Sequence, residues 1–186
     1  MEITAIILAG GQSKRMGTNK ALVEYLGKQL IGYSIELSKA FASEVIISSG
    51  EDELRKFGYP VVSDIFPVKA PLAGIHAGLT HSRTDWNLVL TCDMPHVSKE
   101  IIRFLMTYLD GEQQMIVPGH DGFVEPLCGF YNKNLLDLIE VQFKKQKYSP
   151  LDLISHCKSS VIPFDEIFQE PLSLLFKNVN ERKDLK

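Results

Sequence analysis

The sequence predicts one α/β domain, residues 1–186, built on a mostly parallel central sheet. Three observations carry that prediction. Short apolar runs rich in β-branched residues alternate with segments of helical spacing. Strands separated by helices connect by right-handed crossovers, which sets them parallel in one sheet. The 186 residues are 45% hydrophobic and 23% charged, enough for one full-size core, with no repeat, linker or low-complexity stretch.

Ile3–Leu8 reads as a buried first strand, ending in Gly10-Gly11. Residues 21–31 form an extended turn around Gly27. Leu30, Tyr33, Ser34, Leu37 and Phe41 recur at helical spacing, so a helix covers 31–41. Strand 44–49 follows, with Val45-Ile46-Ile47 at its centre. A short helix over 52–57 stops near Gly58 and Pro60, and 61–63 is a short strand leading to Asp64. Residues 67–71 are a turn-rich link to a helix over 72–82, whose Ala73, Gly74, Ala77 and Gly78 permit close approach. Strand 86–91 is central, because Leu88-Val89-Leu90 is continuously apolar. Ser98 caps a helix from Lys99 to about Leu109. Strand 114–118 leads to a turn at Gly119-His120-Asp121-Gly122, and 123–131 returns as an extended segment. Helices over 135–143 and 150–154, a last strand at 160–163 and a segment carrying Asn178-Val179-Asn180 complete the chain.

The formal charge of −3 gives no electrostatic case for nucleic acid. Met1-Glu2 leads straight into a strand, so no signal peptide is expected, and no apolar run suits a bilayer. Cys92, Cys128 and Cys157 are far apart and form neither a zinc spacing nor a disulfide framework; a reducing cytoplasm is the expected compartment. The five histidines form no ligand cluster, and Ser13 has no triad partners nearby.

The densest chemical signal is residues 8–20. Two glycines end the first strand, and Lys14, Arg15 and Lys20 follow. Gly10 and Gly11 lack a Cβ, so the backbone can take φ > 0 and press its N–H groups on a ligand. With those cations, the cradle suits a polyphosphate. The stretch fits neither the P-loop nor the G-x-G-x-x-G fingerprint. A solvated glycine turn is the other reading. Asp93 follows an apolar strand, where a hard carboxylate suits Mg²⁺ bridging phosphates; the alternative is a turn aspartate. Asp64 is also strand-terminal, in a composition common to turns. Pro71-Leu72-Ala73-Gly74 opens a helix whose N–H groups can meet a base or ribose edge, or serve only close packing. Asn178 and Asn180 share a side if extended, and can bind metal, phosphate or a pterin, or form a turn. Open α/β sheets bind ligands beyond the carboxyl ends of their strands, and the first loop, Asp64 and Asp93 all lie there.

Taken in order, the pattern L-A-G-G-x-S-x-R-M-G-x-x-K at 8–20, then Pro71-Leu72-Ala73-Gly74, Cys92-Asp93-Met94-Pro95, Glu125-Pro126-Leu127 and Asn178-Val179-Asn180 resembles the motif series of the molybdenum cofactor guanylyltransferases. Asn19 and Ser48 depart from it, where the family often has Asp and Asn. The resemblance implies a three-layer Rossmann-like nucleotidyltransferase fold. It implies transfer of GMP from GTP to the terminal phosphate of molybdopterin, with release of pyrophosphate. Leu8, Ala9, Gly10 and Gly11 would contact the nucleotide, with Lys20, Asp64 and Asp93 completing the site and Asp93 holding Mg²⁺. Arg15, Lys20 and Asp93 would serve catalysis, and Lys14, Arg15, Asn178 and Asn180 the acceptor side. Transient contact with other cofactor-biosynthesis proteins would follow. Two alternatives stay open: a related cytidylyltransferase or transferase to another phosphorylated acceptor, and a non-catalytic nucleotide-binding subunit.

Overall fold

β1 (Ile3–Leu8) is buried along its whole length, and its side chains divide between two cores. Ile3, Ala5 and Ile7 join one cluster, Ile6 and Leu8 the other, as the period of two along a strand requires. A sheet buried on both faces needs helices on both sides. The computed structural model describes residues 1–10, 19–109, 111–168, 172–180 and 184.

After a 3-10 turn at Lys20–Leu22, β2 (Glu24–Tyr25) and β3 (Lys28–Gln29) form a hairpin, followed by α1 (Leu30–Lys39) and β4 (Glu44–Ser48). A 3-10 helix (Asp52–Phe57), β5 (Val61–Val62), α2 (Pro71–His81), β6 (Trp86–Thr91) and α3 (Lys99–Met106) come next. The second half holds β7 (Met115–His120), β8 (Phe123–Val124), β9 (Cys128–Asn132), α4 (Leu136–Lys144), α5 (Leu151–Ile154), β10 (Ser159–Pro163) and α6 (Leu172–Leu175). The main sheet runs β10-β7-β9-β6-β1-β4-β5, with β8 beside β7. Ile31 and Ile35 of α1 and Ile101, Ile102 and Leu105 of α3 cover one face. Leu72, Ile75 and Leu79 of α2 and Ile139 and Phe143 of α4 cover the other. The result is a three-layer, mostly parallel α/β fold.

Close packing of α2 rests on its glycines. A Cβ at Gly78 would stand 2.4 Å from Ile6 Cγ2, and one at Gly74 would stand 2.8 Å from Ser48 Oγ. The helix therefore lies directly on β1 and β4, as its small residues predict.

The return of the chain after its turn makes one strand depart from the parallel majority, and several element bounds shift from those expected. β9 is antiparallel to both β6 and β7. The short link from β7 to β9 has no room for the helix a parallel crossover needs. β7 continues through Gly119 and His120, so the turn is only Asp121-Gly122, both at positive φ (50° and 76°). That pair suits a two-residue hairpin loop. Residues 21–31 hold the β2–β3 hairpin rather than a simple extended turn. α3 stops at Met106, and Ser98 makes no side-chain capping bond.

Candidate functional site

From β1 the chain moves outward to β4 and β5, then returns to β6 on the opposite side of β1. That reversal leaves a crevice beyond the strand ends, where open α/β sheets bind ligands. A cleft of about 610 Å³ lies there. β1 contributes Leu8 and Gly10; the end of β4 contributes Ser48, Gly50 and Glu51. Asp64 follows β5, Lys69 and Pro71 lead into α2, and Thr91 and Asp93 end β6.

Lys20 is the hub. Its Nζ donates to Asp93 Oδ2 at 2.6 Å and to Asn180 Oδ1 at 2.6 Å. Three segments distant in sequence thus meet at one ammonium. The other carboxylate oxygen of Asp93 accepts from Thr91 Oγ1 at 2.7 Å. The C-terminal segment is tied to the same residue through its backbone, since the Val179 N–H donates to the Asp93 carbonyl at 2.8 Å. Val179 is buried, which turns Asn180 toward the sheet end. Asn178 is half-buried.

The remaining predicted residues fall into place unevenly. Ala9 donates its N–H to the Ser48 carbonyl at 3.0 Å, so that donor belongs to the sheet end and is not free for a ligand. Gly10 borders the cleft, but its φ is not positive. A Cβ there would meet only Ser48 O and the Ser49 Cα at 3.8 Å. The expectation that Gly10 needs glycine for its backbone conformation is therefore corrected; a side chain would instead enter the cleft. Asp64 lies two residues past β5, and partial burial raises its carboxyl above the usual value. Gly11, Lys14 and Arg15 lie outside the described residues. Cys92 is buried, and burial with the Asp93 charge pushes its thiol up to about 12, which suits packing and not nucleophilic attack.

Sequence reasoning missed Thr91, Lys69 and Glu51 at the cleft, whereas Leu127 enters it from the Glu125-Pro126-Leu127 motif. Thr91 had one available signal: it stands two residues before Asp93, at hydrogen-bonding reach across a turn. Lys69 had another, as a cation just ahead of a helix start. Glu51 had none.

Among the described residues, no three His, Cys, Asp or Glu side chains converge to hold a metal. Mg²⁺ does not need such a cage, because it takes one or two carboxylates and fills the rest with water and phosphate. Asp93 and Asn180 present hard oxygens to one point already held by a cation, so the donor set fits Mg²⁺.

Comparison with known proteins agrees with this fold. The family profile of the MobA-like NTP transferase domain matches residues 5–158. The chain is 33% identical over 187 aligned residues to a Pelotomaculum thermopropionicum protein named probable molybdenum cofactor guanylyltransferase, covering 100% of this chain and 91% of that one. A Bacillus cytotoxicus protein of the same name is 30% identical, over 98% of this chain and 94% of its own. In fold, the chain is similar to molybdopterin-guanine dinucleotide biosynthesis protein A of Archaeoglobus fulgidus (TM-score 0.81, 23% identity, 98% of this chain and 94% of that one). It is also similar to 2-C-methyl-D-erythritol 4-phosphate cytidylyltransferase of Thermus thermophilus (TM-score 0.71, 16% identity, 100% and 96%).

Proposed function

We propose, because the chain belongs to the MobA-like NTP transferase family, that it is a molybdenum cofactor guanylyltransferase. It transfers GMP from GTP to the terminal phosphate of molybdopterin and releases pyrophosphate. The observation that carries the reading is the junction of Lys20, Asp93 and Asn180 at the mouth of the cleft.

The chemistry asks little of general acid–base groups. An oxygen of the acceptor phosphate, already anionic, attacks the α-phosphorus of GTP. The new O–P bond forms as the bond to the β-phosphate oxygen breaks, and the electron pair leaves with pyrophosphate. Two polyanions must be brought together in line, and the charge of the leaving group must be offset. In this reading Lys20 supplies one cation at the reacting end. Lys14 and Arg15 belong to the same loop and would add positive charge toward the acceptor. Leu8 and Gly10 border the nucleotide, with Gly11 beyond them in sequence, and Asp64 meets its sugar or base end. Ala9 supports them through the sheet. Asn178 and Asn180 flank the acceptor side. Asp93, with Asn180 close by, would hold Mg²⁺, which when bound neutralises phosphate charge. Before substrates bind, Lys20 balances the charge of Asp93.

The three cysteines are unpaired, which accords with a reducing cytoplasm. No helix among the described residues is long and apolar enough to cross a membrane. GTP and molybdopterin are the partners the reading requires, and contact with other cofactor-biosynthesis proteins would be transient.

Calorimetric titration with GTP, CTP and ATP in the presence of Mg²⁺ tests the reading. GTP should bind at least about tenfold more tightly than either competitor, a difference of about 1.4 kcal/mol. Preference for CTP or ATP, or no nucleotide binding, would overturn it.

A further inference from the structure

The segment Glu125-Pro126-Leu127 and the histidine before it are not used by the chemistry above. His120 ends β7 and is buried. Its Nε2 lies 3.3 Å from Glu125 Oε1, and its Nδ1 lies 3.3 Å from Asp121 Oδ2. Both contacts stay within the β7–β8 hairpin and its exit. They fix the plane of the ring. The hairpin is itself braced, since the Asp121 N–H donates to both carboxylate oxygens of Asp165 at 3.1 and 3.0 Å.

The face of that fixed ring leaves the hairpin. It stacks on Phe176, with centroids 4.8 Å apart and planes at 13°. Phe176 is buried, and the Phe164 ring also lies near it, with centroids 6.2 Å apart. α6, just before it, has a single turn and cannot hold itself together by helix propensity. Three residues after Phe176 comes Val179, whose N–H reaches the Asp93 carbonyl, and then Asn180, which accepts from Lys20.

We infer that His120 is a positioning residue: stacked on Phe176, it locks the 176–180 segment against the sheet and so delivers Asn180 to Lys20 and Asp93. Packing of the hairpin alone would not require a planar, hydrogen-bonded ring against the element that feeds the site. The carboxylates hold the ring, the ring holds Phe176, and Phe176 sets where the chain enters the cleft. The consequence for acceptor binding rests on the functional reading above; the lock itself does not.

The test therefore has two arms on the full chain. The first is amide hydrogen exchange of free protein, read at Val179, with Ile6 in β1 as a reporter of global unfolding. His120→Ala should raise Val179 exchange by about tenfold or more and leave Ile6 within about twofold, the mark of local release. His120→Phe keeps a stacking ring and should restore most of the protection. Phe176→Leu approaches the same contact from the other side and should match His120→Ala. Unchanged Val179 exchange in folded His120→Ala and Phe176→Leu would overturn the inference.

The second arm is GMP transfer to molybdopterin. His120→Ala should raise the acceptor KM about tenfold with GTP affinity within about twofold, and should add little in an Asn180→Ala background, because the two changes remove one function. A full additive effect in that background would overturn the inference. A wild-type protein that transfers no GMP would overturn the proposed function instead, and the exchange arm would still decide the lock.

Discussion

The side chains of Lys20 and Asp93 are 17% and 20% exposed, which places their pair between a screened surface contact and a buried one. A charge-assisted hydrogen bond in that setting is worth about 1.5–3 kcal/mol when one partner is removed and the other stays charged. Lys20→Met should therefore weaken GTP binding and slow single-turnover transfer by about ten- to hundredfold. Equal values for wild type and variant would make Lys20 a bystander. Asp93→Asn keeps the shape and removes the charge, and should cut turnover about a hundredfold with unfolding free energy changed by less than about 2 kcal/mol. Asp64 behaves differently. Burial raises its carboxyl above the ordinary value, so ionising it is harder in the folded chain than in the unfolded one. That penalty is absent at pH below the unfolded value and grows as pH rises through the folded one. Asp64→Asn should be slightly more stable at pH 7, by less than about 1 kcal/mol because the group reaches water, with the gain vanishing near pH 3. A melting temperature lowered at pH 7 would contradict this. Lys20 and Asp93 were legible because a cation after a glycine loop and a carboxylate after an apolar strand are poorly explained by packing. Thr91 carried only its spacing from Asp93, which gives a bond once the turn between them is placed. The Lys20–Asn180 contact was not legible, because it depends on where the C-terminal segment returns.

At the scale of elements, α2 shows how packing and site share residues. Its small positions read as either ligand approach or tight packing, and the distances decide for packing at Gly78, where Ile6 stands within 2.4 Å of a new Cβ. Gly78→Ala should destabilise the fold by about 1–3 kcal/mol through overpacking against β1. Nucleotide affinity of the folded fraction should stay within about twofold, because Gly78 lies away from the cleft, and denaturant unfolding with calorimetry checks both. A loss of affinity without loss of stability would mean that the helix tunes the site. The positions of β1, β4 and β6 followed from apolar runs. The order in which they pair did not, because periodicity marks a strand but not its neighbours, whereas the turn after β7 already implied a chain that returns. His120 was misread for a related reason. Gly-His-Asp-Gly is turn-rich in composition, yet β10 pairs beside Gly119 and draws the strand on.

For the whole molecule, the sheet reversal at β1 gathers the carboxyl ends of four strands around one cleft, and the C-terminal segment returns to it where Asn180 accepts from Lys20. The layered architecture was readable from alternating strands and helices. The cleft's composition was readable only in part, since Glu51 and Lys69 enter it from loops whose course no local pattern sets. On the proposed function, this cleft joins GMP to molybdopterin and Asp93 is essential to the step. Single-turnover incorporation of α-labelled GTP into molybdopterin, with Mg²⁺ and pyrophosphate release measured together, tests it most directly. Wild-type protein should form the dinucleotide and pyrophosphate in equal amounts, and folded Asp93→Asn should do so about a hundredfold more slowly. No dinucleotide from wild type, or transfer by Asp93→Asn at the wild-type rate, would contradict the account.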